Sequence, residues 1–406
     1  MPEPHPTRIG ERPGAARVVD SEEAELLLWI SLLADDIGPR RPTGVAERRA
    51  AEVLAEGLSR LGVDARLEAF RGYSSFALPF AITVGTAVAP ELLPRRLRRL
   101  RAGLAALAAG MLATEGSLRF APLSDLLSRR PSQNVVATIE PSGTAERTLC
   151  LMAHVDTSRS GLMFHPRLVG WMNTWIGLNS AMIVAGALGE PLSGRSPNLR
   201  RALRLARAVL LGGLGVLGER ERRGVDVPGA NDNASGVAVV ATLAAELAAE
   251  PLASTRVVVC LTGCEEAGTL GARAFLREHE TEGWLFLNVD NVGGSGSVRY
   301  LRREGVIARW DADPGLIAAA ESVARAEPGL RMASEDAPAG LTYDSSPVHA
   351  RGGRALTLSV QDGFIPNLHR PSDTVANVDL GGVRRTLRAA RGIAAAVDAG
   401  LADGPR

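Results

Sequence analysis

Apolar and polar positions recur with different periods along the chain, and each change of period predicts an element. Residues 21–36 (SEEAELLLWISLLADD) set acids ahead of an apolar stripe and predict a capped amphipathic helix; a second is expected over 44–61. VDARLEAF (63–70) alternates with period two and predicts a strand. NVVATIE (134–140) and TLCLMAHVD (148–156) predict two more, the second almost continuously apolar, as a strand buried on both faces is. A helix over 235–250, a strand over 255–263, a helix from about 270 to 279 and the apolar strand 284–290 follow. Helices over 313–326 and 377–400 enclose a strand at 354–360. Strands that alternate with helices predict an α/β fold, with a mostly parallel central sheet and helices on both faces.

Two stretches, 74–130 and 158–224, interrupt this rhythm. Each has a long apolar segment, an Arg-bearing turn and a shorter apolar segment, which predicts two inserted apolar helical hairpins. The longer arms approach the length of a membrane span, about 20 residues, and the second arms, of roughly 11–13, fall short of it. Trp171 and Trp175 stand four apart on one helix face, as an interfacial anchor would. Three readings stay open for the hairpins: a lid or homodimer surface, contact with a membrane surface, and a true span.

Composition narrows the classes. With 406 residues and 46% hydrophobic content, the chain can bury one large core. A net charge of +1 gives no reason to expect a nucleic-acid surface. All 46 basic residues are Arg, which excludes a P-loop lysine, a Schiff base and a lysine general base. Three cysteines (Cys150, Cys260, Cys264) make no disulfide framework, so a reducing, cytoplasmic setting is expected, membrane-associated if the hairpins meet lipid. Residues 1–20 are polar and Pro-rich and lack a secretory apolar segment; a disordered lead-in is expected there, followed by a single catalytic domain over 21–400.

The candidate chemistry sits in five short stretches. GANDNASG (229–236) reads first as a turn that caps the next helix, with Asp232 or Asn233 as the N-cap. AHVD (153–156), GCEE (263–266) and NVDN (288–291) each end an apolar strand, and PNLHRPSDT (366–374) is a loop before the last helix. Singly each has an ordinary reading: a satisfied histidine, a solvated helix start, a strand-end acid. Together they change the picture, because open parallel sheets build sites at the carboxyl ends of their strands. Two His and three carboxylates suit a pair of Zn²⁺ ions if one carboxylate bridges, and Asp232, with its small neighbours, is placed to be that bridge.

In this order HVD, GANDNASG, CEE, NVDNVG and LHRPSDT, preceded by IGPRRPTG (37–44), resemble the co-catalytic di-zinc aminopeptidase family, which includes glutamate carboxypeptidase and the glutaminyl cyclases. The resemblance covers nearly the whole chain outside the hairpins and residues 1–20. It implies the zinc aminopeptidase/phosphorylase-like fold. It implies that His154 and Asp290 hold one zinc, Glu266 and His369 the other, and that Asp232 bridges; Co²⁺ and Mn²⁺ suit the same donors. It implies Asp156 as the partner that orients the His154 imidazole and Glu265 as general base. Relatives often carry an oxyanion-steadying tyrosine near the last histidine; here Leu368 occupies that place, and Tyr343 in GLTYDSSP is the nearby candidate.

The expected activity is hydrolysis of peptide or amide bonds by metal-activated water, as an aminopeptidase on small or hydrophobic peptides. Four alternatives stand beside it. HVDT also begins the motif set of the acetylornithine deacetylase family, which the other motifs fit less well. A carboxypeptidase or amidohydrolase, a glutaminyl-cyclase-like acyltransferase, and a non-catalytic membrane-associated binding protein complete them.

Overall fold

The computed structural model describes residues 21–338, 340–361 and 363–403, so the expected lead-in lies outside the described residues. Among the described residues nine strands form one sheet: β1 (Ala65–Gly72), β2 (Arg130–Ile139), β3 (Arg147–His154), β4 (Thr255–Thr262), β5 (Leu285–Val289), β6 (Val298–Glu304), β7 (Trp310–Asp311), β8 (Met332–Asp336) and β9 (Arg354–Val360). They run in the order β1-β2-β4-β3-β5-β9-β6-β7, with β8 also paired to β6. The expected α/β fold with helices on both faces is present, and its sheet is mixed and not purely parallel. The block β4-β3-β5-β9 is parallel, but β1–β2, β2–β4, β9–β6 and β6–β7 are antiparallel, so the sheet is mixed. Antiparallel neighbours need no crossover helix. The first insertion lies between β1 and β2, and a Gly-rich turn (293–296) leads into β6.

The helices are α1 (Ser21–Ser31), α2 (Val45–Arg60), α3 (Ala77–Val88), α4 (Arg98–Gly116), α5 (Pro122–Leu127), α6 (Met172–Gly189), α7 (Pro197–Arg223), α8 (Ser235–Ala249), α9 (Leu270–Glu278), α10 (Pro314–Ala326), α11 (Ser346–Ala350) and α12 (Leu380–Asp398). Several start on side-chain caps. The hydroxyl of Ser196 accepts from the Leu199 amide at 3.3 Å, with Pro197 at the first helical position. Asp313 and Asp379 do the same for α10 and α12. The pleat divides the core. Val135, Leu149, Leu151, Val257 and Val259 face α1, α2, α8, α10 and α12. Val136, Cys150, Met152, Val258 and Cys260 face α9 and α11. Helices therefore cover both faces.

The insertions hold α3 to α5 and α6 with α7. Their second arms are longer than the apolar runs suggested, 19 residues in α4 and 27 in α7. Arg is a good helix former, so the Arg-rich stretches extend the helices instead of turning. The two hairpins pack into one four-helix bundle around Val84, Ala87, Ala108, Leu112, Ile183 and Leu210. A buried charge network joins them. The Arg101 guanidinium donates to Glu190 at 2.6 Å, and Arg207 donates to Glu190 and, at 2.7 Å, to Glu91. Among the described residues no helix is long and apolar enough to cross a membrane.

Candidate metal centre

The four parallel strands point their carboxyl ends at one edge of the sheet. His154 is the last residue of β3 and pairs with Thr262 at the end of β4, so the turn Gly263–Glu266 begins beside it. Met152 pairs with Asn288, which sets Asp290 level with His154. The loop after β9 brings in His369, and the turn before α8 brings in Asp232.

The two oxygens of Asp232 face different histidines. Its Oδ1 lies 3.1 Å from His154 Nε2, and its Oδ2 lies 3.1 Å from His369 Nε2. Asp290 Oδ1 approaches His154 Nε2 at 3.6 Å, and Glu266 Oε1 approaches His369 Nε2 at 3.0 Å. The result is two triads, His154/Asp232/Asp290 and Asp232/Glu266/His369, all buried and sharing one carboxylate. Glu266 Oε1 makes no hydrogen bond despite its 3.0 Å approach to the imidazole. Imidazole nitrogens and carboxylate oxygens that converge to within 4.8 Å in each triad form a donor set that fits two Zn²⁺ ions.

Local chemistry explains the turn that carries Asp232. Gly229 has φ +66°, and a Cβ there would come within 2.2 Å of the Thr157 side chain. A Cβ on Gly236 would come within 2.3 Å of Val289 O. The Asn233 side chain accepts from the Gly236 amide at 3.1 Å and caps α8, while Asp232 faces the triads. Capping and ligand geometry are thus divided between adjacent residues. Asn231 accepts from the Gly293 amide at 2.6 Å, and Asn233 accepts from the Asn291 amide at 3.1 Å, which ties the turn to the end of β5. The Asp373 carboxylate accepts the amides of Asn231 and Asp232 at 2.7 and 3.1 Å.

Asp156 differs from its expected part. The His154 Nδ1 meets the carbonyl oxygen of Asp156 at 3.1 Å, with the carboxylate 3.8 Å away. The carboxylate instead accepts the amides of Glu265 and Glu266 at 2.9 and 3.0 Å, which orients both glutamates. The reason is local. The turn after β4 leaves those two N–H groups free beside the end of β3, and a buried donor needs an acceptor.

Three residues that sequence reasoning did not single out hold this arrangement. Arg40 is fully buried and donates to the carbonyls of Leu33, Gly38, Val155, Pro228 and Gly229 at 2.6–3.0 Å, fastening the end of β3 to the Asp232 turn. Glu47 accepts from the Cys264 and Thr43 amides and the Ser132 hydroxyl. Asp373 completes the set. Arg40 and Asp373 lie inside quoted motifs, but their neighbours Arg41 and Ser372 are equally polar, and only the fold tells which is buried.

Burial and charge set the protonation preferences. Burial works against a charged imidazolium at His369, yet the Glu266 and Asp232 carboxylates outweigh it and lift its pKa to about 9. His154 is raised in the same way by Asp290 and Asp232. Burial alone would raise Asp232, but the two imidazoles hold it below the ordinary carboxylate range. Burial, reinforced by Glu266, Asp344 and Asp290, pushes Glu265 well above that range. Tyr343 is buried, its hydroxyl has no hydrogen-bond partner, and burial pushes its pKa up.

One cavity of about 440 Å³ is lined by His154, Asp232, Glu265, Glu266, Asp290 and His369, by Tyr343, and by apolar residues of the four-helix bundle. The two insertions therefore roof the metal centre.

Comparison with known proteins agrees with this geometry. Residues 215–394 match the model of peptidase family M28, a span that contains Asp232, Glu265, Glu266, Asp290 and His369 and leaves out His154. No curated protein matches the chain. Among solved structures, BSAP, a zinc aminopeptidase from Bacillus subtilis, superposes with a TM-score of 0.55 at 14% identity, over 93% of this chain and 95% of that one. The aminopeptidase from Aneurinibacillus sp. strain AM-1 gives 0.56 at 13% identity, over 93% and 94%. Glutaminyl cyclase from Porphyromonas gingivalis gives 0.53 at 16% identity, over 92% and 97%. Residues 215–394 are thus similar to the M28 peptidases, and the chain shares its fold with zinc aminopeptidases and glutaminyl cyclases.

Proposed function

We propose that this protein binds two zinc ions and hydrolyses peptide or amide bonds, as an aminopeptidase on small or hydrophobic substrates. One observation carries the reading: the two oxygens of Asp232 are divided between two His-bearing triads. His154 and Asp290 would hold one ion and Glu266 and His369 the other, with Asp232 shared between them. Such a pair supplies an acidified water and a Lewis acid for the scissile carbonyl.

The chain's own groups do the rest. Glu265 takes the proton of the attacking water on its carboxylate and returns it to the leaving amine nitrogen, so water and amide become acid and amine. Its position in the cavity wall and its raised pKa suit that exchange. Asp156 holds the Glu265–Glu266 backbone, and Asn231 and Asn233 fasten the Asp232 turn to the end of β5. The unpartnered Tyr343 hydroxyl donates to the carbonyl oxygen as it gains charge. The apolar roof favours substrates with apolar side chains. Exposed Trp171, Leu188 and Leu205, together with exposed Arg95, Arg96 and Arg201, support contact with an anionic lipid surface.

Metal content measured beside hydrolysis of aminoacyl and N-blocked amides, for wild type and Glu265→Gln, tests the reading. Two zinc ions per chain and free-amine hydrolysis that disappears in Glu265→Gln is the expected result. Activity on blocked or acidic-tailed substrates alone moves the function to a carboxypeptidase or amidohydrolase. Cyclisation of N-terminal glutamine moves it to acyl transfer. Less than one ion and no turnover overturns it.

A further inference from the structure

The cavity does not stop at the metal centre. It continues from His369 and Phe164 into the bundle and reaches Val84, Leu112 and Ile183, which belong to the bundle's own core. All four helices contribute to its wall, with Ile176 on α6 and Gly213 and Val216 on α7 beside those three. A substrate side chain of ordinary length would leave most of that space unfilled.

Resting on the hydrolase reading, we infer that the substrate is an amide one half of which is a long linear alkyl chain, threaded between the four helices. Along α6 the lining runs from Met172 to Ile183, which at a rise of 1.5 Å per residue is about 16 Å. Carbon–carbon bonds of about 1.5 Å advance an extended chain by roughly 1.25 Å each, so about a dozen carbons fit. A peptide segment does not suit the same path. It would carry an N–H and a C=O at every residue into the bundle, and each would need a partner. Two of the polar groups there are already engaged: the Asn179 amide donates to Trp175 O at 2.8 Å, and the Thr83 hydroxyl donates to Pro79 O at 2.9 Å. An alkyl chain asks for no partners and gains from every methylene it buries. The chain belongs either to the acyl half or to the amine half of the amide, and two substrate series separate these.

The test is a pair of series with a constant scissile bond. One carries N-alkyl amides of an amino acid, the other N-acyl amino acids, each from two to sixteen carbons. In one series kcat/KM should rise about three- to four-fold per methylene and level off near twelve carbons. Ile176→Trp, about 6 Å along α6 from Met172, should bring the plateau back to about five or six carbons. A flat dependence on length, with short substrates turned over, overturns the inference and leaves the hydrolase reading standing. Binding of butanoate, octanoate and dodecanoate to the purified protein, followed by calorimetry with and without zinc, reads the tunnel without turnover. Affinity that climbs with length supports the inference even if no amide is cleaved. Equal affinities, or a plateau that Ile176→Trp does not move, overturn it.

Discussion

Phe164 stands edge-on to His369, with ring centroids 4.3 Å apart and planes at 73°. One ring comes from the second insertion and the other is a candidate zinc ligand. The neighbouring Arg370 side chain donates to Phe164 O at 2.8 Å, so the roof and the ligand loop touch at two points. Edge-to-face pairs are worth about 0.5–1.5 kcal/mol. Phe164→Ala should therefore weaken zinc at the His369 position by roughly two- to ten-fold and leave the His154 position unchanged. Competition with a chelator of known affinity measures both steps; equal weakening at the two would refute this coupling.

The shared carboxylate makes a sharper prediction about stoichiometry. Asp232→Ala removes a ligand from both triads, and Asp290→Ala removes one from the His154 triad alone. Elemental analysis after gel filtration should find little zinc in the first variant and about one ion per chain in the second. If Asp232→Ala retained two ions, the bridge would be wrong.

Arg40 holds the metal turn through five backbone carbonyls. Arg40→Met keeps the apolar volume and leaves five acceptors without their donor. Loss of a buried network of this kind costs on the order of 3–5 kcal/mol. Urea unfolding of the zinc-free protein should show that drop, and a change under 1 kcal/mol would mean the backbone finds other donors.

Glu47 gives a dependence on pH. Burial, with the charge of Asp156 behind it, pushes its carboxyl from 4.5 up to about 8. Between those values the native protein keeps a proton that the unfolded chain releases, so stability falls as pH rises through the window and levels off above 8. Glu47→Gln should flatten that fall by up to one proton, about 1.4 kcal/mol per pH unit. Urea midpoints at pH 5, 6, 7 and 8 compare the slopes; identical slopes would place the proton elsewhere.

The parallel block and its strand-end acids were legible in the sequence because they rest on long apolar runs that stop at polar tetrads. His154, Asp232, Glu266, Asp290 and His369 do meet at one edge, as the five motifs require. The strands β6 and β8 were not legible. VRYLRRE carries three arginines and MASED two acids, so neither reads as an apolar run, and their pairing depends on partners distant in the chain. The part played by Asp156 was misread for a related reason. A motif identifies a carboxylate near a histidine, but which donors lie closest depends on the turn after β4, more than a hundred residues away. The bundle's long arms escaped because helical arginines resemble those of a turn.

The network of Arg101, Glu190, Arg207 and Glu91 ties the two insertions together unequally. Removing residues 160–222 would leave Arg101 and Glu91 without their partners, whereas removing residues 74–130 would leave Glu190 and Arg207 still paired with each other. A buried charge that loses its partner costs more than the pair ever contributed. A lineage, or an engineer, wishing to open this active site would have to prune the first hairpin before the second, or neutralise Arg101 first.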